Sequence, residues 1–166
     1  MEASARREKK SYLDFSRLSP GELMGMVAAL ILLGSLFLPW FSTSDTNPNS
    51  TLAGASGGDS VSAWDTYTTM RWLLVAAASA PFILAWIVAR GHTLTWKPGE
   101  VTMIVGITSF VLILCNGIIL GRPGESVDIG LTYGYLVGML ASLGMAVAGF
   151  MRQAFHTDAR KPPGVL

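Results

Sequence analysis

Four apolar runs, Leu23–Trp40, Met70–Ala89, Val101–Leu120 and Ile129–Phe150, alternate along the chain with polar segments. Each approaches the ~20 residues with which an α-helix crosses ~30 Å of hydrocarbon. In lipid every backbone N–H and C=O has to be paired inside the helix. The pattern therefore predicts an all-α integral membrane protein, a four-helix transmembrane bundle. Its helices read as about 21–41, 70–90, 99–121 and 129–151, within a four-span domain over 19–151. A basic segment over 1–18 precedes this domain and a tail over 152–166 follows it.

Local signals sharpen the helices. Ser19-Pro20-Gly21-Glu22 combines an N-cap serine, proline at the first helical position and glutamate three residues after the cap, which makes a capping box. Pro98-Gly99-Glu100 repeats the Pro-Gly-Glu triplet, consistent either with a 2+2 duplication or with shared helix-start chemistry. Pro81, after a run of small residues at 76–80, predicts a kink in the second helix. On the fourth run Gly130, Gly134, Gly138, Ser142 and Ala146 recur every four residues, a stripe nearly free of side chains. Gly21, Gly25 and Ala29 make a shorter stripe on the first. Stripes of this kind let helix backbones approach closely in lipid. They suit packing within the chain, or a seam with a second copy or another membrane protein.

The connection Ser42–Thr69 has two parts. Ser42–Ser60 is rich in Ser, Thr, Asn and Gly and predicts a mobile loop. Val61–Tyr67 regains large apolar side chains and predicts a segment lying against the helix ends. Asn49-Ser50-Thr51 matches a glycosylation sequon, meaningful only in a eukaryotic secretory pathway. Trp40, Trp64, Tyr67, Trp72, Tyr133 and Tyr135 are expected at one membrane interface and Trp86 and Trp96 at the other.

Charge sets the expected orientation. Ten of the twelve basic residues precede the first run, separate the second from the third, or follow the fourth; only Arg71 and Arg122 fall on the other side. The positive-inside rule then puts both termini in the cytoplasm and the loops 42–69 and 121–128 outside. The first run is too long for a signal-peptide core and lacks a small-x-small exit, so it reads as a retained span. Met1–Leu18, with Tyr12, Leu13 and Phe15 among basic residues, suits either a disordered topology anchor or a short element on anionic headgroups.

Candidate chemistry is sparse. Away from their ends the spans hold no Asp, Glu, Lys, Arg or His, which weighs against a proton-coupled or ion-coupled transporter. Asn116, beside Cys115, is the strongest polar group inside a span and suits a hydrogen bond to a neighbouring helix or a ligand contact. His92 and His156 lack metal-ligand spacing, and Cys115 has no disulfide partner in this chain. Asp65 is expected to pair with Arg71, and Glu125 or Asp128 with Arg122. No catalytic, cofactor-binding or metal-binding set emerges, and nothing points to nucleic acid. The residues singled out for interaction or packing are Trp64, Asp65, Tyr67, Arg71, Asn116, Gly130, Gly134 and Gly138.

The succession Ser19-Pro20-Gly21-Glu22, Leu36-Phe37-Leu38-Pro39-Trp40-Phe41, Ser62-Ala63-Trp64-Asp65 and a glycine-striped last span resembles small uncharacterised four-span membrane proteins of actinobacteria. That resemblance implies a bacterial inner membrane and carries no activity with it. The topology is also similar to that of claudins, but the paired cysteines of the claudin loop are missing, so no barrier function follows. The expected function is a non-enzymatic accessory or scaffold protein of the cell envelope, partnered by the bilayer and by a second copy or another membrane protein. The alternative is a small oligomeric channel or carrier for a neutral or apolar solute, with Thr108, Ser109 and Asn116 facing the pathway.

Overall fold

The computed structural model describes residues 18–90, 98–123 and 128–157. The basic segment 1–17, His92, Trp96, Lys97, Glu125, the His156 side chain and the tail from 158 lie outside that description, as do the readings that rest on them. The chain is mostly helical. Its elements run α1 (Pro20–Ser35), β1 (Pro39–Ser42), β2 (Ser60–Ser62), α2 (Ala63–Thr66), α3 (Met70–Ala89), α4 (Pro98–Leu114) continued by a π-helical turn (Cys115–Ile119), β3 (Gly130–Leu131) and α5 (Tyr133–Thr157).

Three helical stretches, Met70–Ala89, Gly99–Ile119 and Tyr133–Ala154, are 20, 21 and 22 residues long and apolar enough to cross a membrane. Helix α1 is shorter, at 16 residues. It rises ~24 Å at 1.5 Å per residue. The expected helix 21–41 ends early because Pro39 disfavours helical backbone at Leu38 and has no N–H to donate. Residues 36–38 close as a tight turn, with Phe37 N donating to the Gly34 carbonyl at 3.2 Å and Leu38 N to that of Ser35 at 3.0 Å. The rest of the apolar run becomes β1, with proline at the first strand position where its missing donor matters least.

Strand β1 is the centre of a short three-stranded antiparallel sheet of order β2-β1-β3, which the helical expectation did not include. Phe41 pairs with Val61 on one side and Leu131 on the other. The loop between β1 and β2, expected to hang free, folds back on the sheet. Leu52 and Ala55 exchange backbone hydrogen bonds at 3.0 and 2.8 Å around Ala53-Gly54, both at positive φ as a tight hairpin turn requires. Ser50 is fully buried and its hydroxyl donates to the Asp128 carbonyl at 3.2 Å, while Asn47 Nδ2 donates to Asp128 Oδ2 at 3.1 Å. Asp128 is thereby engaged by the loop rather than by Arg122.

Helix α5 packs along both α1 and α4, and α3 touches α1 and α4 from the other side. Its buried positions, Gly134, Tyr135, Gly138, Ala141, Ser142, Met145, Ala146, Ala148 and Gly149, recur with helical period and form one face. The opposite face, with Leu136, Leu140, Leu143, Val147 and Phe150, is exposed and apolar. Exposed Leu23, Val27 and Leu30 on α1, Ile83 on α3 and Ile104, Ile107 and Val111 on α4 continue that surface. A soluble monomer rarely exposes so much contiguous apolar area, whereas lipid covers it without cost.

Candidate functional site

The sheet end of the helices gathers most of the side chains that the sequence singles out. Trp40 and Tyr135, expected in an interfacial belt, are instead fully buried. The Trp40 indole donates from Nε1 to the Ser35 carbonyl at 2.7 Å and meets Tyr135 and Tyr67 edge-on, with ring centroids 5.5 and 6.3 Å apart. Phe41, also fully buried, lies 5.9 Å from Tyr67 and 6.2 Å from Tyr135. Such pairs contribute ~0.5–1.5 kcal/mol beyond their buried area.

The glycine stripe receives this cluster. A Cβ at Gly138 would lie 2.6 Å from Trp40 Cζ2, and one at Gly134 would run into the Pro39 carbonyl and lie 2.8 Å from Trp40 Cδ1. These two glycines therefore seat an indole and a strand rather than the neighbouring helix backbone that their spacing predicts. Close backbone approach occurs further along α5, where Gly106 of α4 abuts the Ala146 backbone and a Cβ at Gly149 would sit 2.6 Å from the Gly99 carbonyl. Gly130 lies outside the helix altogether, in β3, where a Cβ would meet Ser42 Oγ at 2.5 Å.

The π-helical turn joins α4 to the same cluster. Leu120 N donates five residues back to the Cys115 carbonyl at 2.8 Å, and Asn116 departs from helical backbone at φ −86°, ψ 16°. The distorted turn leaves carbonyls to be satisfied by side chains. Tyr135 Oη donates to the Ile113 carbonyl at 2.9 Å, Tyr67 Oη to that of Asn116, and Asn116 Nδ2 to that of Leu112 at 2.9 Å. Gly117 makes room for the Tyr135 ring, since a Cβ there would lie 2.6 Å from Cζ. Burial pushes the Tyr67 phenol above its ordinary value, and the neighbouring Tyr135 phenol adds to the shift.

At the rim of this core a second group of rings is partly open. Phe37 stacks on Trp64 at 5.0 Å, and Trp64 meets Trp72 edge-on at 5.4 Å. The Arg71 guanidinium lies 5.1 Å from the Trp64 ring centre and 5.8 Å from that of Trp72, and Nη1 donates to the Trp64 carbonyl at 2.9 Å. Asp65 does not pair with Arg71. Its carboxylate accepts from the Ser62 hydroxyl at 2.6 Å, while that hydroxyl caps α2 by accepting from Asp65 N at 3.2 Å. Phe37 and Trp72 remain 64% and 56% exposed.

No protein-family model, characterised protein or solved structure matches the chain. Its own geometry is thus the basis for a functional reading. Thr108, Ser109 and Asn116, grouped by the channel alternative, meet three different surroundings. Thr108 is exposed and bonded to the Ile104 carbonyl, Ser109 is fully buried, and Asn116 is tied to its own helix. Among the described residues no three His, Cys, Asp or Glu side chains lie close enough to hold a metal ion.

The opposite end carries a feature that sequence reasoning missed. Glu22 of α1 and Arg152 of α5 form an ion pair with side chains only 4% and 11% exposed, and Glu22 Oε2 also accepts the Ser19 N–H at 2.6 Å. The only signal for it was Gly21, whose missing side chain leaves α5 room: a Cβ there would meet Arg152 Cβ at 3.2 Å.

Proposed function

We propose that the chain is a four-helix, multi-pass protein of a bacterial inner membrane, with both termini in the cytoplasm, that serves as a non-enzymatic accessory or scaffold subunit. The charge distribution supports the orientation, with ten basic residues on one side against two on the other. In this reading α1 completes its crossing with the turn at 36–38 and with β1, whose Trp40 and Phe41 are fully buried.

The observation that carries the scaffold reading is the Phe37, Trp64, Arg71, Trp72 surface at the sheet end of the helices. A rigid sheet and a packed aromatic core hold it, and two of its rings are more than half exposed. Trp, Phe and Arg are the residue types that dominate protein recognition, and here they are ordered before any partner arrives. A membrane protein approaching from the side would cover the rings without disturbing the core beneath.

Photocrosslinking groups at Phe37 and Trp72, with Leu143 on the far face of α5 as control, test this in native membranes. The expected result is one protein adduct from the first two positions, absent from the control and lost in Trp64→Ala. Lipid adducts alone at all three positions would overturn the reading.

A further inference from the structure

Between α1 and α3, at the Glu22 end, lies an open cleft of about 720 Å³. Leu23 and Met26 line it from one side and Phe82, Ala85 and Trp86 from the other, with Ser19 at its head. The two helices touch higher up, where a Cβ at Gly25 would come within 3.9 Å of Pro81 Cβ. Below Pro81 they leave a pocket of ligand-site size. Apart from Ser19 those side chains are apolar, so the part of a ligand that fills the cleft is hydrocarbon.

Among the described residues, two polar groups stand at this cleft. The Ser19 hydroxyl oxygen is buried without a hydrogen-bond partner, while the Ser19 backbone N–H donates to Glu22 Oε2 at 2.6 Å. The Arg90 guanidinium lies 4.4 Å over the Trp86 ring, which lines the cleft. In sequence, the segments that flank these helix ends carry ten Lys and Arg against six Asp and Glu. A hydrocarbon slot headed by an unpaired hydroxyl, with a cation over one of its lining rings and basic flanking sequence, matches an acyl chain under an anionic phosphate.

We propose that this cleft is a binding site for an anionic phospholipid, with one acyl chain between Met26 and Phe82 and the headgroup phosphate at Ser19 and Arg90. The site is independent of the aromatic surface at the sheet end. It would give the protein a preference among membrane lipids that its smooth outer faces cannot supply.

Native mass spectrometry of the full chain in mild detergent, with phosphatidylglycerol or phosphatidylcholine added, tests the site. The wild type should retain one phosphatidylglycerol with about tenfold preference over phosphatidylcholine. Met26→Trp, which fills the cleft from its open side, should abolish that bound lipid. Arg90→Gln and Ser19→Ala should each reduce the preference while leaving chain occupancy by either lipid intact. Equal retention of the two lipids by the wild type, or unchanged phosphatidylglycerol binding in Met26→Trp with an unaltered thermal midpoint, would overturn the proposal. A crosslink from position 26 to residues 1–17 in place of lipid would overturn it as well.

Discussion

Replacing Gly138 with alanine should destabilise the protein, although alanine is the better helix former. The added methyl would lie 2.6 Å from Trp40 Cζ2 and 3.0 Å from Ser35 Oγ, closer than carbon atoms tolerate. Trp40 has nowhere to retreat: it is fully buried, bonded to the Ser35 carbonyl at 2.7 Å and wedged against Tyr135. Overpacking of this kind costs ~1–3 kcal/mol, and the helix propensity gained on replacing glycine offsets ~1 kcal/mol of it. A net loss of up to roughly 2 kcal/mol lowers the melting temperature of a chain this size by up to about 8 °C. Gly144→Ala is the matched control on the same helix, because its methyl meets only Ala28 Cβ at an ordinary 3.4 Å. Thermal midpoints in detergent, read by loss of the monodisperse gel-filtration peak, should fall for Gly138→Ala and hold or rise for Gly144→Ala. Adding Trp40→Phe removes the ring that carries Cζ2, so the double variant should show a favourable coupling of ~0.5–3 kcal/mol. If Gly138→Ala were as stable as Gly144→Ala, the account of the glycine stripe as a seat for Trp40 would be wrong.

Other consequences follow from the same geometry. Tyr67→Phe leaves the Asn116 carbonyl without its donor and should cost ~1–3 kcal/mol. Because burial raises the Tyr67 phenol, its contribution is fully present below about pH 10 and lost as pH rises beyond it; stability measured over alkaline pH should decline in the wild type and less in Tyr67→Phe. Glu22→Gln removes the carboxylate charge that faces the Arg152 guanidinium at a nearly buried site and should destabilise the protein, with α1–α5 disulfide trapping near this end reporting the loosened contact. Cysteine at exposed Ser56 should react with an impermeant thiol reagent in intact cells, whereas cysteines at Ser11 and Thr157 should not; the reverse pattern would invert the orientation.

Hydrophobic length alone made α3, α4 and α5 legible as helices long and apolar enough to cross a membrane, because hydrocarbon leaves a backbone few ways to pair its polar groups. That the small residues of α5 share one helix face was legible too, since they recur every four positions, whereas the choice between packing within the chain and a seam with a partner stayed open. What each glycine receives was not. Trp40 is about a hundred residues from Gly138 in sequence, and no local pattern reveals that an indole rather than a helix backbone fills the space. For the same reason the loop 43–59 looked unstructured: its order comes from Asp128, 81 residues beyond Asn47 and 78 beyond Ser50. Asp65 and Arg71 show how proximity in sequence misleads, because a local cap claims the carboxylate while two indole rings hold the guanidinium. Periodicity and length are properties of a segment and survive in one dimension. Strand pairing, the seating of Trp40 and the Glu22–Arg152 pair join distant segments, and only the packed chain decides them.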